Sequence, residues 1–84
     1  MDEQEIIKFI ADVLEVPVDK LDIDADMEEI ETWDSLHNVM LFAALEDEYD
    51  IDIPDEDMFD LVNVRAIVEE VIKLADWQWN IVRY

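Results

Sequence analysis

Thr32-Trp33-Asp34-Ser35-Leu36 leads into an apolar stretch, Leu36 to Leu45, which ends in Glu46-Asp47-Glu48. Acidic, irregular chain becomes helix at this junction: Asp34 is a favourable N-cap, which puts Ser35 in the first turn. A hydroxyl in that turn is exposed, and the unpaired N–H groups and positive dipole end beside it favour an attached phosphate. The position suits a covalent phosphodiester. The helix is predicted from near Asp34 to about Glu48, presenting Leu36, Val39, Met40, Ala43 and Leu45 across its inner and flanking faces.

Upstream, Ile6, Ile7, Phe9, Ile10, Val13 and Leu14 recur at helical spacing behind Asp2 and Glu3, and Pro17 discourages continuation. From Val18 to Asp34 the pattern alternates: Leu21, Ile23, Ala25 and Met27 are separated by Asp22, Asp24 and Asp26. Tyr49, Ile51 and Ile53 alternate in the same way, so a two-stranded ladder is the structural rival. Aspartate is disfavoured in strands, carboxylates would face carboxylates, and a lone pair of strands is marginal, so an extended loop pinned by its apolar residues is the preferred reading. Downstream, Pro54 with Asp55, Glu56 and Asp57 opens a short third helix supplied with Met58, Phe59, Leu61 and Val62. Asn63 can cap a fourth, whose stripe is Val64, Ile67, Val68, Val71, Ile72 and Ala75. The expected fold is all-α, a four-helix bundle of three longer helices and one short, with a long first loop.

The chain has 84 residues, enough for one core but too few for a deep cleft between lobes. An apolar fraction of 52% offsets the disorder that a net charge of −20 would otherwise invite. Against 25 Asp and Glu stand only Lys8, Lys20, Arg65, Lys73 and Arg83, which makes nucleic acid an unsuitable partner and favours basic patches on other proteins. There is no cysteine, hence no disulfide, thiol catalysis or thiolate metal site, and no metal site is expected. The acidic start and the lack of a long uncharged run point to a cytoplasmic protein without a membrane partner, expected to be a monomer. There is no glycine, so turns are expected to use Asp, Asn and Pro.

Asp34-Ser35-Leu36, together with Leu45-Glu46-Asp47-Glu48-Tyr49 and the following Ile53-Pro54, resembles the acyl carrier protein family, over roughly residues 5–75. The resemblance implies the stand-alone type of carrier domain, over residues 1–76, with 77–84 as an aromatic C-terminal extension. It implies that Ser35 takes a 4'-phosphopantetheine arm from coenzyme A, with Asp34 and Leu36 as the flanking motif residues. It further implies that the protein is not an enzyme, carries acyl intermediates as thioesters, and works with a phosphopantetheinyl transferase and acyl-handling enzymes bearing basic docking patches. Partner recognition in the family runs along this helix, where Glu46 and Asp47 fit the acidic pattern. His37 and Met40 depart from it, which points to a dedicated fatty-acid, polyketide or related pathway. Val39, Phe42, Ala43, Leu45, Met58, Phe59 and Leu61 are candidates for an acyl pocket, although a helical core needs the same residues. Two alternatives remain open: a peptidyl or aminoacyl carrier, and an unmodified carrier-like module that binds proteins.

Other chemistries fit poorly. Asp34, Ser35 and His37 suggest a triad, but two residues along a helix rotate a side chain by about 200°, so serine and imidazole face apart, and no nucleophile elbow can be built without glycine. Asp22, Asp24 and Asp26 resemble the start of a calcium loop, yet Met27 stands where glycine is needed and Trp33 where a bidentate glutamate is needed. In the tail, Leu74, Trp77, Ile81 and Tyr84 share a helical face, which favours continued packing over an exposed aromatic patch.

Overall fold

Asp2 starts the first helix by accepting the Gln4 N–H on its carboxylate at 3.1 Å, with Glu3 and Glu5 at the positive dipole end. This helix, α1 (Glu3–Leu14), buries Ile6, Ile7, Ile10, Ala11 and Leu14. It closes on Glu15 in the left-handed region, φ 58°, whose N–H reaches back to the Ala11 and Asp12 carbonyls. Asp50 plays the same part after the second helix at φ 54°. Acidic residues thus fill both positions where a glycine would cost least. The computed structural model describes residues 2–82, with side chains as far as Trp77.

The long loop is tied down at each end. Thr32 Oγ1 donates to the Leu14 carbonyl at 2.6 Å, satisfying an orphan acceptor at the end of α1. Asp22 accepts the Asp24 N–H, and Asp26 accepts those of Glu28 and Glu29, so the acids that look like strand partners in the sequence fold the loop into local turns. Leu21, Ala25 and Trp33 are buried, and Ile23, Met27 and Ile30 pack half-buried against them. The loop's backbone pairs with the turn at 62–64: Met27 N–H donates to Val62 and Val64 N–H to Ala25, at 2.8 and 2.9 Å. This isolated antiparallel bridge, Asp26 to Asn63, stands in place of the rival ladder with residues 49–53. An exposed Arg65–Asp24 ion pair at 2.8 Å lies across the same joint and holds the guanidinium proton more firmly than usual.

Asp34 caps α2 (Ser35–Tyr49), which buries Leu41, Phe42 and Leu45 and leaves Leu36, Val39 and Met40 exposed. Of the five residues expected across its inner and flanking faces, only Leu45 is buried. The helix is apolar on both faces, so periodicity alone does not choose between them. Position 38 chooses: Asn38 accepts the indole N–H of buried Trp33 at 2.8 Å, turning residues 38, 41, 42 and 45 inward.

After α2, Glu46 Oε2 accepts the Ile53 N–H at 2.9 Å, and Ile51 and Ile53 are buried. The short third helix is a five-residue 3-10 turn, Asp55–Phe59, so the described residues hold three α-helices and two 3-10 turns rather than four helices. Phe59 is 84% exposed and supplies no core contact, while Leu61 is buried. Four of the six residues from Asp55 to Asp60 are acidic, leaving Met58 and Phe59 too little apolar surface to hold another turn of α-helix. Asn63 Oδ1 accepts the Ala66 N–H at 2.8 Å and opens α3 (Val64–Val82), which buries Val64, Ile67, Val68 and Val71. The helix runs on through the predicted start of the extension at residue 77. Trp77 is 60% exposed rather than packed, and the side chains of Ile81 and Tyr84 lie outside the described residues. The fold is all-α, with the interior filled largely by α1, α2, α3 and the buried loop residues.

Candidate functional site

Ser35 is exposed at the first position of α2. Four residues place it. Trp33, 2% exposed, anchors the incoming chain in the core and is clasped to Asn38. Asp34 Oδ1 then accepts the His37 N–H at 2.8 Å, which fixes where the helix starts. The same oxygen lies 2.8 Å from His37 Nδ1, so the imidazole folds back on the cap and not onto the serine. The His37 N–H, and then its side chain, holds the Asp34 carboxyl below the usual carboxylate range. The N–H groups of Ser35 and Leu36 have no intrahelical acceptor, so they and the dipole make this helix end electropositive against an acidic surface.

Ser35 also sits on the edge of an open cleft of about 620 Å³. Met27, Trp33 and Val62 form its apolar lining, and Asp26, Glu28, Asp34 and Asn63 its polar groups. The loop and the entrance to α3 meet here through the Asp26–Asn63 bridge, which brings residues 62–63 beside a serine 27 positions earlier.

The remaining sequence-predicted residues do not line this cleft. Leu36, Val39, Met40, Ala43 and Asp47 are exposed, and His37 and Glu46 are half-buried. Phe42, Leu45 and Leu61 are core residues, Met58 is half-buried, and Phe59 projects outward. None of the seven acyl-pocket candidates lines the cleft beside Ser35. Met27, Trp33, Val62 and Asn63, which do, carry no sequence signal that links them: their proximity depends on two backbone hydrogen bonds between distant segments.

An exposed hydroxyl on an electropositive helix end, beside an open cleft in a small acidic helical domain, is an arrangement able to hold an anionic group. The family model for the phosphopantetheine attachment site matches residues 4–71. The acyl carrier protein of Akkermansia muciniphila is 36% identical over 72 residues, 86% of this chain and 90% of that protein. The chain belongs to the acyl carrier protein family, whose cofactor is 4'-phosphopantetheine. Among the described residues, no helix is long and apolar enough to cross a membrane.

Proposed function

We propose that this protein is a discrete acyl carrier, modified at Ser35, which delivers thioester-bound intermediates to the separate enzymes of a dedicated biosynthetic route and catalyses nothing itself. The observation that carries the reading is the exposed Ser35 hydroxyl at the start of α2, within the matched attachment domain. The residues fit the group. The Ser35 and Leu36 N–H groups favour a phosphodiester, and the open cleft leaves room for an arm. In the modification, the Ser35 oxygen attacks the pyrophosphate of coenzyme A on a transferase. A new O–P bond forms, the serine proton passes to a base, and the nucleotide bisphosphate leaves. When bound, the arm supplies a terminal thiol whose acyl thioester is readily passed on.

Partner enzymes are read by α2. Leu36, Val39 and Met40 give it an exposed apolar centre, and Asp47 an acidic end suited to a basic patch. Apolar side chains at the exposed positions of this helix favour a dedicated partner set over general fatty-acid synthesis. The test is intact mass after incubation with coenzyme A and a broad-specificity transferase. One phosphopantetheine addition, lost in Ser35→Ala, is the expected result; no addition to a folded wild-type chain would refute the reading.

A further inference from the structure

Phe59 is 84% exposed, more than any other large apolar side chain among the described residues. Its place on the surface is set by the turn that carries it. In a 3-10 turn successive side chains step by about 120°, so with Met58 packed half-buried against the core, Phe59 is carried to the outer side. Buried Ile53 and Leu61 flank the turn, and the Asp57 and Asp60 N–H groups close it, each donating at 3.0 Å to the carbonyl three residues earlier. Asp57 is also hydrogen-bonded to Glu70 of α3. An aromatic ring on a braced turn loses little conformational freedom on binding, and aromatic rings are favoured anchors of protein interfaces.

We infer that Phe59 is a docking anchor, separate from the α2 face, for the phosphopantetheinyl transferase that modifies Ser35, and that it enters an apolar pocket rimmed by lysine or arginine. The inference rests on the carrier reading. Charge narrows the occupant: Asp55, Glu56 and Asp60 flank the ring and are exposed. A second copy would set carboxylates against carboxylates, and an anionic lipid surface would be repelled, whereas a basic rim is the complement. Distance then selects the transferase among basic partners. Val62 lines the same cleft as Ser35, and the chain from Phe59 to Val62 spans at most about 11 Å. Acyl-handling enzymes meet the thiol at the end of an arm and can dock away from its root. The transferase must bring the reacting phosphorus within about 3–3.5 Å of the Ser35 oxygen. A contact of ordinary size, about 800 Å² on each side, is roughly 30 Å across and so extends to the turn.

The test follows phosphopantetheine transfer to the full chain by intact mass, varying the chain concentration at fixed transferase. Phe59→Ala should lower kcat/KM by about five- to thirtyfold, through KM, with kcat and melting temperature unchanged, because the ring is lost from the contact and not from the core. Phe59→Tyr should restore most of the wild-type value. Trp77→Ala removes another exposed ring, about 20 Å along α3 from Val64, and should change nothing. Neutralising the rim, with Asp55→Asn, Glu56→Gln and Asp60→Asn together, should reduce the salt dependence of KM. An unchanged KM in Phe59→Ala, a loss confined to kcat, or an equal loss in Trp77→Ala would overturn the anchor, while the mass addition leaves the carrier reading intact. Self-association in sedimentation that Phe59→Ala abolishes would give the ring to a second copy, and binding to phosphatidylcholine vesicles lost in that variant would give it to a membrane; either result overturns the transferase as occupant. No addition to the folded wild type would overturn the anchor and the carrier reading together.

Discussion

Replacing Trp33 with phenylalanine removes the indole N–H that Asn38 accepts at 2.8 Å, while keeping an aromatic ring in a core position that is 2% exposed. The lost hydrogen bond is worth about 0.5–1.5 kcal/mol, and the volume lost from a packed site adds about 1–2 kcal/mol, so a destabilisation of about 1.5–3.5 kcal/mol is expected. Asn38→Ala removes the other half of the clasp. Because the partners are in contact, the double variant should cost less than the sum of the singles, by about 0.5–1.5 kcal/mol. Urea unfolding followed by far-ultraviolet circular dichroism measures each corner of the cycle, since helix content is independent of which tryptophans remain. Phosphopantetheine transfer to Ser35 is expected to slow in Trp33→Phe where the variant is still folded, because the loop entering α2 loses an anchor. Strictly additive losses, or a Trp33→Phe cost below about 0.5 kcal/mol, would refute the assignment of this pair as the clasp that anchors the loop entering α2 and turns its face inward.

Three further outcomes are expected. Asp47→Lys, at an exposed position, should slow transfer to acyl-handling partners at low salt without changing the melting temperature, whereas Glu46→Lys should also destabilise the fold by about 1 kcal/mol because Glu46 holds the Ile53 N–H; Glu46→Gln, which keeps an acceptor, separates the two effects. The Asp34 carboxyl is held below its usual range by His37, so its contribution to stability is present above the unfolded-state pKa and is lost only as pH falls through the lower folded value. A carbon-detected NMR titration should show it protonating below the ordinary aspartate range, and in His37→Ala closer to that range. Glu70 is displaced in the opposite direction, first by burial and then by its hydrogen bond and repulsion with Asp57, with Lys73 opposing. Its ionisation therefore works against folding as pH rises from the unfolded through the folded pKa. Glu70→Gln should raise stability at neutral pH and flatten that part of the pH–stability curve.

The apolar stripe of α1 and that of α3 to Ala75 were legible because each has one apolar face and a capping residue ahead of it, Asp2 and Asn63. The loop was legible for a negative reason: its aspartates fit turns better than ladders, and they do cap local N–H groups. The inward face of α2 was hidden because nearly every residue from Leu36 to Leu45 is apolar, and the choice is made by the contact of Asn38 with Trp33, five positions earlier. Pro54 and the acids after it read as a helix opening, yet the segment forms a 3-10 turn that leaves Phe59 exposed. At the candidate site, the Asp34 cap and the exposed first-turn position of Ser35 could be read from local chemistry. The cleft beside them could not, because it is built by bringing Val62 and Asn63 against Met27 through long-range backbone pairing.

The chemical state of the Ser35 oxygen separates a carrier from an unmodified binding module. Fragmentation mass spectrometry of the protein purified from cells that contain a phosphopantetheinyl transferase should release a pantetheine fragment, with the phosphate-bearing site mapped to the peptide containing Ser35. If that peptide is recovered from the folded protein with its serine unmodified, or the arm maps to another residue, the account is contradicted.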